Sequence, residues 1–404
     1  MTYGGDDRGR RMPPPQRPPS GRPRRHQPAQ MMPLPGRGSS PYDERTRPMG
    51  TGGQERPAAP PPRRPGPPQP PPGRPADDGA RPPRRRKRWS FGKVLLTLLT
   101  VFVVFLAGVW VYLEFSINRV DALADYSGRP VAAEGTNWLI VGSDSRDGLT
   151  PEEQEKLVTG DSKAAGGGKR TDTIMVAHVP SNSTKPTLLS LPRDSQVTIP
   201  GHGKNKINAA FSIGGPTLLA KTVEGATGLR IDHYAEIGFG GFAKIVDAIG
   251  GVHMCVEKPM EDTLTGIKIP AGCQDLQGPQ ALGFVRMRHS EATPRSDLDR
   301  VANQRKFIGA LVSEIGSPGT LLNPFSLFPL LSTAPDALTM DTGDHVHNLV
   351  GLALAMRGIS SGGVVTTTVP VTSGSAENWD KTKSKLLFDA LKNDTEIPDS
   401  AILT

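Results

Sequence analysis

The chain has 404 residues, 41 prolines, two cysteines and a formal net charge of +8, with only 5% aromatics. Two cysteines exclude a disulfide-rich scaffold and a four-thiolate zinc module. The charge is unevenly placed: residues 1–93 hold 21 Lys and Arg, 7 Asp and Glu and 24 of the prolines, a net of +14, which leaves −6 for the remainder. The basic excess therefore sits in a segment unable to build a core, which excludes a folded basic nucleic-acid-binding domain as its source.

Residues 1–88 are a low-complexity mixture of Arg, Pro, Gly and Gln. They bury too little apolar surface to offset chain entropy and read as a disordered tail of polyproline II character. The tail ends in a basic block, Arg84, Arg85, Arg86, Lys87 and Arg88. It contains no helix-turn-helix pattern, so no specific nucleic-acid partner is expected.

Residues 89–114 read as one transmembrane helix. Val94–Leu113 carries no charge, and at 1.5 Å per residue such a run spans roughly 30 Å, the thickness of a bilayer's hydrocarbon core. Trp89, Phe91, Trp110 and Tyr112 lie near its ends, where interfacial anchors sit. A cleaved signal peptide fits poorly: the run is too long, and the small-residue site Ala122–Ala124 falls about ten residues beyond it. The basic flank stays cytoplasmic by the positive-inside rule. The expectation is a single-pass protein of the cell membrane, in contact with membrane lipids, with its remainder outside the cytoplasm.

After a linker at 115–134, residues 135–395 read as a globular domain and 396–404 as a C-terminal tail. Asn137–Val141, Ile174–Val179, Thr187–Leu191 and Val364–Val369 are short β-branched runs and predict strands. Phe242, Ile245, Val246 and Ile249 repeat with helical spacing, as do Val301, Ile308, Leu311 and Ile315. Strands alternating with helices predict an α/β domain with a mainly parallel or mixed sheet. A Gly-rich loop, Asp161–Gly168, separates the first two strands.

Open α/β sheets place ligands at strand ends. The first strand runs into Asp144 and Arg146, the second follows Arg170 and Asp172, and the third ends in Arg193 and Asp194. Phe284–His289 alternates like a strand, which would set Arg286 and Arg288 on one face. Asp297, Arg300 and Gln304 share one face of the long helix. Arginines from five segments of an acidic region suit the oxygens of a diphosphate. Carboxylates beside them would repel it unless a divalent cation, Mg²⁺ or Mn²⁺, bridged the two. Outside a membrane, a lipid-linked diphosphate is the natural candidate.

The runs NWLIVGSDSR, RTDTIMVAHV, LLSLPRDSQVTIPG, KINAAFSIGGP, GFAKIVDAIGGV, ALGFVRMRH and DLDRVANQRKFI resemble, in order and spacing, the LytR–CpsA–Psr family. The resemblance implies an α/β/α sandwich with a central mixed sheet and a hydrophobic pocket for a prenyl chain. It implies an enzyme, a phosphotransferase moving a glycopolymer from a polyprenyl diphosphate carrier to peptidoglycan with loss of lipid monophosphate. By motif position, Asp144 and Asp172 would hold the metal. Arg170, Arg193, Arg286, Arg288 and Arg300 would grip the diphosphate, Gln304 would add a polar contact, and Asp297 would orient arginine. Asp194 is the expected general base. Asn303 departs from the family pattern, standing where many members carry Arg.

Two alternatives remain open at this stage: a polyprenyl diphosphate pyrophosphatase using the same site, and a membrane-anchored transcriptional regulator. Cys255 and Cys273, outside the cytoplasm, are free to form a disulfide; the other reading is two separate small buried residues. The histidines lack zinc-site spacing, and GSDS lacks the nucleophile-elbow glycines of a serine hydrolase.

Overall fold

The computed structural model describes residues 66, 90–145, 149–157, 170–261, 266–287, 290, 292–293, 297–372 and 376–403. The expected tail 1–88 (Gly66 apart), the Gly-rich loop 161–168, Arg146, Arg288 and the Asp297 side chain lie outside that set.

The uncharged run forms α1 (Phe91–Ser116), none of whose residues is buried. By length and composition it is sufficient to cross a bilayer. No free linker follows it. Glu114 accepts a hydrogen bond from Arg119 (2.6 Å) and one from the Val346 amide (3.0 Å). Ile117 is buried, and β1 (Asn118–Val120) enters the central sheet. Residues expected to form a linker are thus built into the domain, because Ile117, β1 and the buried Ala122 need the core to cover them.

β2 (Thr136–Ser143) and, after α2 (Pro151–Lys156), β3 (Thr171–Val179) are antiparallel, and β4 (Thr187–Ser190) continues the pattern. A hairpin of β5 (Gln196–Ile199) and β6 (Gly203–Lys206) leads into α3 (Ile207–Thr227). Within α3, Gly215 adopts a φ of 64° next to Pro216, so the chain kinks there and Pro216 opens the second half. β7 (His233–Gly238) runs directly into α4 (Phe239–Ala248). Two small ribbons follow, β8 (Val252–Val256) with its later partner and β9 (Met260–Glu261) with β10 (Lys268–Ile269). The partner of β8 is β11 (Gly272–Leu276). Helices α5 (Gly278–Arg286), α6 (Asp297–Ile315), α7 (Pro318–Leu321) and α8 (Pro324–Ala337) come next. The chain closes with β12 (Leu338–Asp341), α9 (Val346–Ala355), β13 (Val365–Thr368) and α10 (Lys381–Lys392).

The central sheet has the order β1-β12-β7-β2-β3-β4-β13 and is mixed. Side chains along a strand point alternately to its two faces, and the buried ones here are apolar on both. Leu139, Val141, Ile174 and Val176 pack with α3 and α10 through Phe211, Leu219, Leu387 and Leu391. Trp138, Met175 and Ala177 pack on the other face with Val346, Leu352 and Met356 of α9 and its following residue. At roughly 1.5–3 kcal/mol for each large apolar side chain buried, both faces need a helical layer. That requirement produces the α/β/α sandwich. A further core joins α4, α5, α6 and α8 around Phe307.

Two expectations change. Phe284–Arg286 belongs to helix α5, with Met287 buried at its end, and is no strand. So short a run satisfies either period; the helix start at Gln277, with its reciprocal cap and a proline in the first turn, decides the matter. The expected C-terminal tail also packs: Ala401 is buried, and the Leu403 amide donates to Thr367 Oγ1 at 2.9 Å.

Candidate functional site

β2 and β7 run parallel, β3 lies antiparallel to β2, and β4 is antiparallel to β3. The ends of β2, β4 and β7 and the beginning of β3 therefore meet at one end of the sheet. This topology gathers the acidic and basic residues that sequence separates.

Beyond a register shift at Gly142 and Ser143, Asp144 turns back onto the start of β3. Its amide donates to the Arg170 carbonyl (2.9 Å) and its Oδ1 accepts from the Arg170 amide (2.7 Å). The Arg170 side chain is exposed there. Two residues on, Asp172 accepts a hydrogen bond from Arg193 Nη1. Arg193 also meets Asp194 Oδ2 through Nε (3.3 Å), and Asp194 Oδ1 accepts from Lys206 Nζ (2.7 Å). The start of α3 pins this loop, because the Asn208 amide donates to the Arg193 carbonyl and the Ile207 amide to that of Ser195.

Burial alone would raise the Asp194 carboxyl. The hydrogen bond from Lys206 and the charge of Arg193 outweigh it and hold the group below the usual carboxylate range. A carboxylate gripped by two cations is a weak proton acceptor, so this geometry favours Asp194 as the residue that positions Arg193. Lys206 itself is raised by the same hydrogen bond.

The end of β7 adds a third side. The Phe239 amide donates to the Ser145 carbonyl (3.2 Å), and a Cβ on Gly238 would come within 3.0 Å of that oxygen. The Arg286 guanidinium stacks over the Phe239 ring, 4.6 Å from its centre. Arg286 thus meets the first residue of α4 from α5, although its local structure is helical. A cavity of about 450 Å³ opens beside this loop, lined by Ser145, Phe211, Gly215, Glu236, Gly238 and Asp336 among others.

Arg300 and Gln304 lie buried on α6, and Gln304 Nε2 donates to the Val285 carbonyl at 3.1 Å, next to Arg286. Gln304 thereby fastens α6 to the turn of α5 that precedes Arg286. Lys206 was not anticipated from chemistry; its place at the head of KINAAFSIGGP was the available signal. A larger cavity, about 590 Å³, lies along α6 beside His253, Cys255 and Lys306, and contains none of the clustered Asp and Arg residues.

Among the described residues the Oδ2 atoms of Asp144 and Asp172 make no hydrogen bond, each carboxylate being engaged through Oδ1. Two hard oxygen donors beside cationic side chains fit Mg²⁺ or Mn²⁺ shared with substrate phosphates. The grouping of His253 with Cys255 and Cys273 is no metal site. Those cysteines are joined as a disulfide between directly paired residues of β8 and β11, and both are exposed.

A mixed sheet between helical layers, with paired Asp and Arg side chains at one end, defines an α/β/α sandwich protein. Residues 116–396 match the model of the LytR_cpsA_psr family, and the chain belongs to the LytR–CpsA–Psr family. It is 50% identical over 325 residues to the "Probable cell wall biosynthesis protein LcpB" of Corynebacterium glutamicum, covering 76% of this chain and 74% of that one. It is 33% identical to the "Cell wall biosynthesis protein LcpA" of the same organism, covering 69% and 60%. The fold is shared with the LytR-Csp2A-Psr enzyme from Actinomyces oris at a TM-score of 0.54 and 23% identity, over 68% of this chain and 96% of that one.

Proposed function

We propose that this chain is a single-pass membrane phosphotransferase of cell-wall biosynthesis, its catalytic domain outside the cytoplasm. It moves a glycopolymer from a polyprenyl diphosphate carrier to peptidoglycan. The observation that carries this reading is the meeting of Asp144, Asp172, Arg170, Arg193 and Arg286 at one sheet end, on a domain fixed to an apolar helix. The name of the half-identical Corynebacterium protein, with its reference to cell-wall biosynthesis, agrees.

Asp144 and Asp172 would hold Mg²⁺, or Mn²⁺ in its place, which when bound neutralises charge on the diphosphate oxygens. Arg193, oriented by Asp194 and Lys206, and Arg286, oriented by Phe239, face the same oxygens from two sides. An acceptor hydroxyl attacks the sugar-linked phosphorus, the bond to the bridging oxygen breaks, and lipid monophosphate leaves with that oxygen. The hydroxyl proton passes to water or to a carboxylate at the site. Such transfers depend mainly on positioning and electrostatic stabilisation, which a rim of fixed cations supplies without a covalent nucleophile.

The test is a product assay with purified full-length protein, a lipid-diphosphate-linked glycan and Mg²⁺, with and without peptidoglycan. Glycan joined to peptidoglycan, with lipid monophosphate released, is the expected result. Release of free glycan phosphate at an equal rate in both reactions would make the enzyme a pyrophosphatase, and no release at all would remove the enzymatic assignment.

A further inference from the structure

We infer that α7 and the first turns of α8 form a second, non-spanning membrane contact, seated in the leaflet that faces the domain, beside α1. The inference rests on α1 crossing the bilayer and is independent of the reaction catalysed.

Ile315–Pro335 contains no charged residue, yet only one side of it, through Leu330, joins the α4–α5–α6 core. Leu322 and Phe325 are 81% and 87% exposed, and Leu321 and Phe328 are also exposed. Clustered apolar exposure of this kind marks an interaction surface. What covers it follows from its neighbour. Phe328 meets Phe105 of α1 edge-on, with ring centres 6.3 Å apart. Phe105 lies in the uncharged run that ends at Leu113. The eight helical steps from Phe105 to Leu113 place Phe105 roughly 12 Å inside the hydrocarbon, at 1.5 Å per residue. Whatever surrounds α1 at that depth also surrounds Phe328 and the turns beside it.

The pose is fixed. Glu114 at the end of α1 accepts from Arg119 and from the Val346 amide at the start of α9, so α1 cannot swing freely away from the domain.

The backbone of the tip also suits lipid, where polar groups must find partners within the protein. Ser317 Oγ accepts from the Thr320 amide and Asn323 Oδ1 from the Phe325 amide. Pro318, Pro324 and Pro329 bring no N–H at all, and the Pro329 carbonyl accepts from Ser332 Oγ at 2.9 Å. At its other end α8 supplies Asp336 and Ala337 to the 450 Å³ cavity. One short helix therefore links the apolar tip to the neighbourhood of Ser145.

The test uses the full chain with its disulfide intact, carrying one nitroxide label at a time and placed in phosphatidylglycerol–phosphatidylethanolamine vesicles. Labelled positions are Leu322→Cys, Phe325→Cys, Val104→Cys on α1 and Lys383→Cys on the exposed side of α10. Relaxation by oxygen, which concentrates in lipid, is compared with relaxation by a water-soluble nickel chelate. The expected oxygen-to-nickel ratio at 104, 322 and 325 is several-fold that at 383. Water-like ratios at both 322 and 325 beside a lipid-like 104 would overturn the inference while leaving α1 as a span. Shielding of 322 and 325 from both reagents would also overturn it, since a protein would then be the occupant. A water-like ratio at 104 would overturn both readings.

Discussion

Two clusters of arginine and carboxylate stand on this domain, and burial separates their roles. Arg129 and Glu224 are 9% and 2% exposed. Glu224 Oε1 accepts from Arg129 Nε and from the Ile231 amide, both at 3.0 Å, and its Oε2 accepts from Tyr126 (2.7 Å). Arg129 donates further to the Ile231 and Leu123 carbonyls. Arg129 also pairs with the exposed Asp125 at 2.7 Å, and the result ties residues 123–129 to α3. Arg193 sits between Asp172 and Asp194 with a fifth of its side chain exposed, at a sheet end where Arg170, Arg286 and Lys206 also collect. The chemistry is the same in both places. Where the pair is buried it holds the fold, and at the sheet end the paired charges stay within reach of solvent.

Each cluster has its own way to fail. Glu224→Ala leaves the buried Arg129 guanidinium with only the exposed Asp125 carboxylate as a counter-charge and is expected to cost about 3 kcal/mol of stability; thermal unfolding of the purified protein measures it. Arg193→Ala is expected to lower turnover by about 10²–10³-fold, some 3–4 kcal/mol of barrier, with little change in melting temperature. An unfolded Arg193→Ala, or a fully stable Glu224→Ala, would erase the distinction between the clusters. Removing the Cys255–Cys273 disulfide closes off neither cluster. By the loop-entropy model it costs about 3 kcal/mol, with an unchanged rate per folded molecule and a mass shift on reduction and alkylation.

The smallest effect concerns Asp194. Its folded pKa is depressed, so its contribution to stability is complete above the unfolded value of about 3.9 and is lost as pH falls through the lower folded value. Asp194→Asn should therefore flatten the fall in melting temperature below about pH 4. It should also slow transfer without shifting the neutral pH–rate profile, as expected of a group that orients Arg193. Loss of the acid limb from that profile would instead restore Asp194 as the general base, since a base is lost when it is protonated.

Much of the fold was legible because its signals are local. Val94–Leu113 is uncharged over the length of a bilayer, the runs at β2, β3 and β4 are β-branched, and Val301 to Ile315 repeat at helical spacing. Phe284–His289 reads as an alternating strand because six residues cannot establish a period, and only the cap at Gln277 shows that its first three belong to a helix. The stretch 115–134 and the last residues looked like linker and tail because their partners lie far along the chain. Val120 pairs with Asp341 and Leu403 with Thr367.

The sequence by itself determined which residues carry charge, where the apolar helix runs and that Asp and Arg recur at the ends of predicted strands. Only the tertiary structure decided which of them meet. The antiparallel order β2-β3-β4 brings Asp144, Asp172 and Arg193 together, the parallel β7 delivers Phe239 as a platform for Arg286, and packing draws Arg300 and Gln304 into the interior. The physical reason is that hydropathy and turn chemistry act over a few residues, whereas electrostatic and hydrogen-bonding partners are set by distance in space.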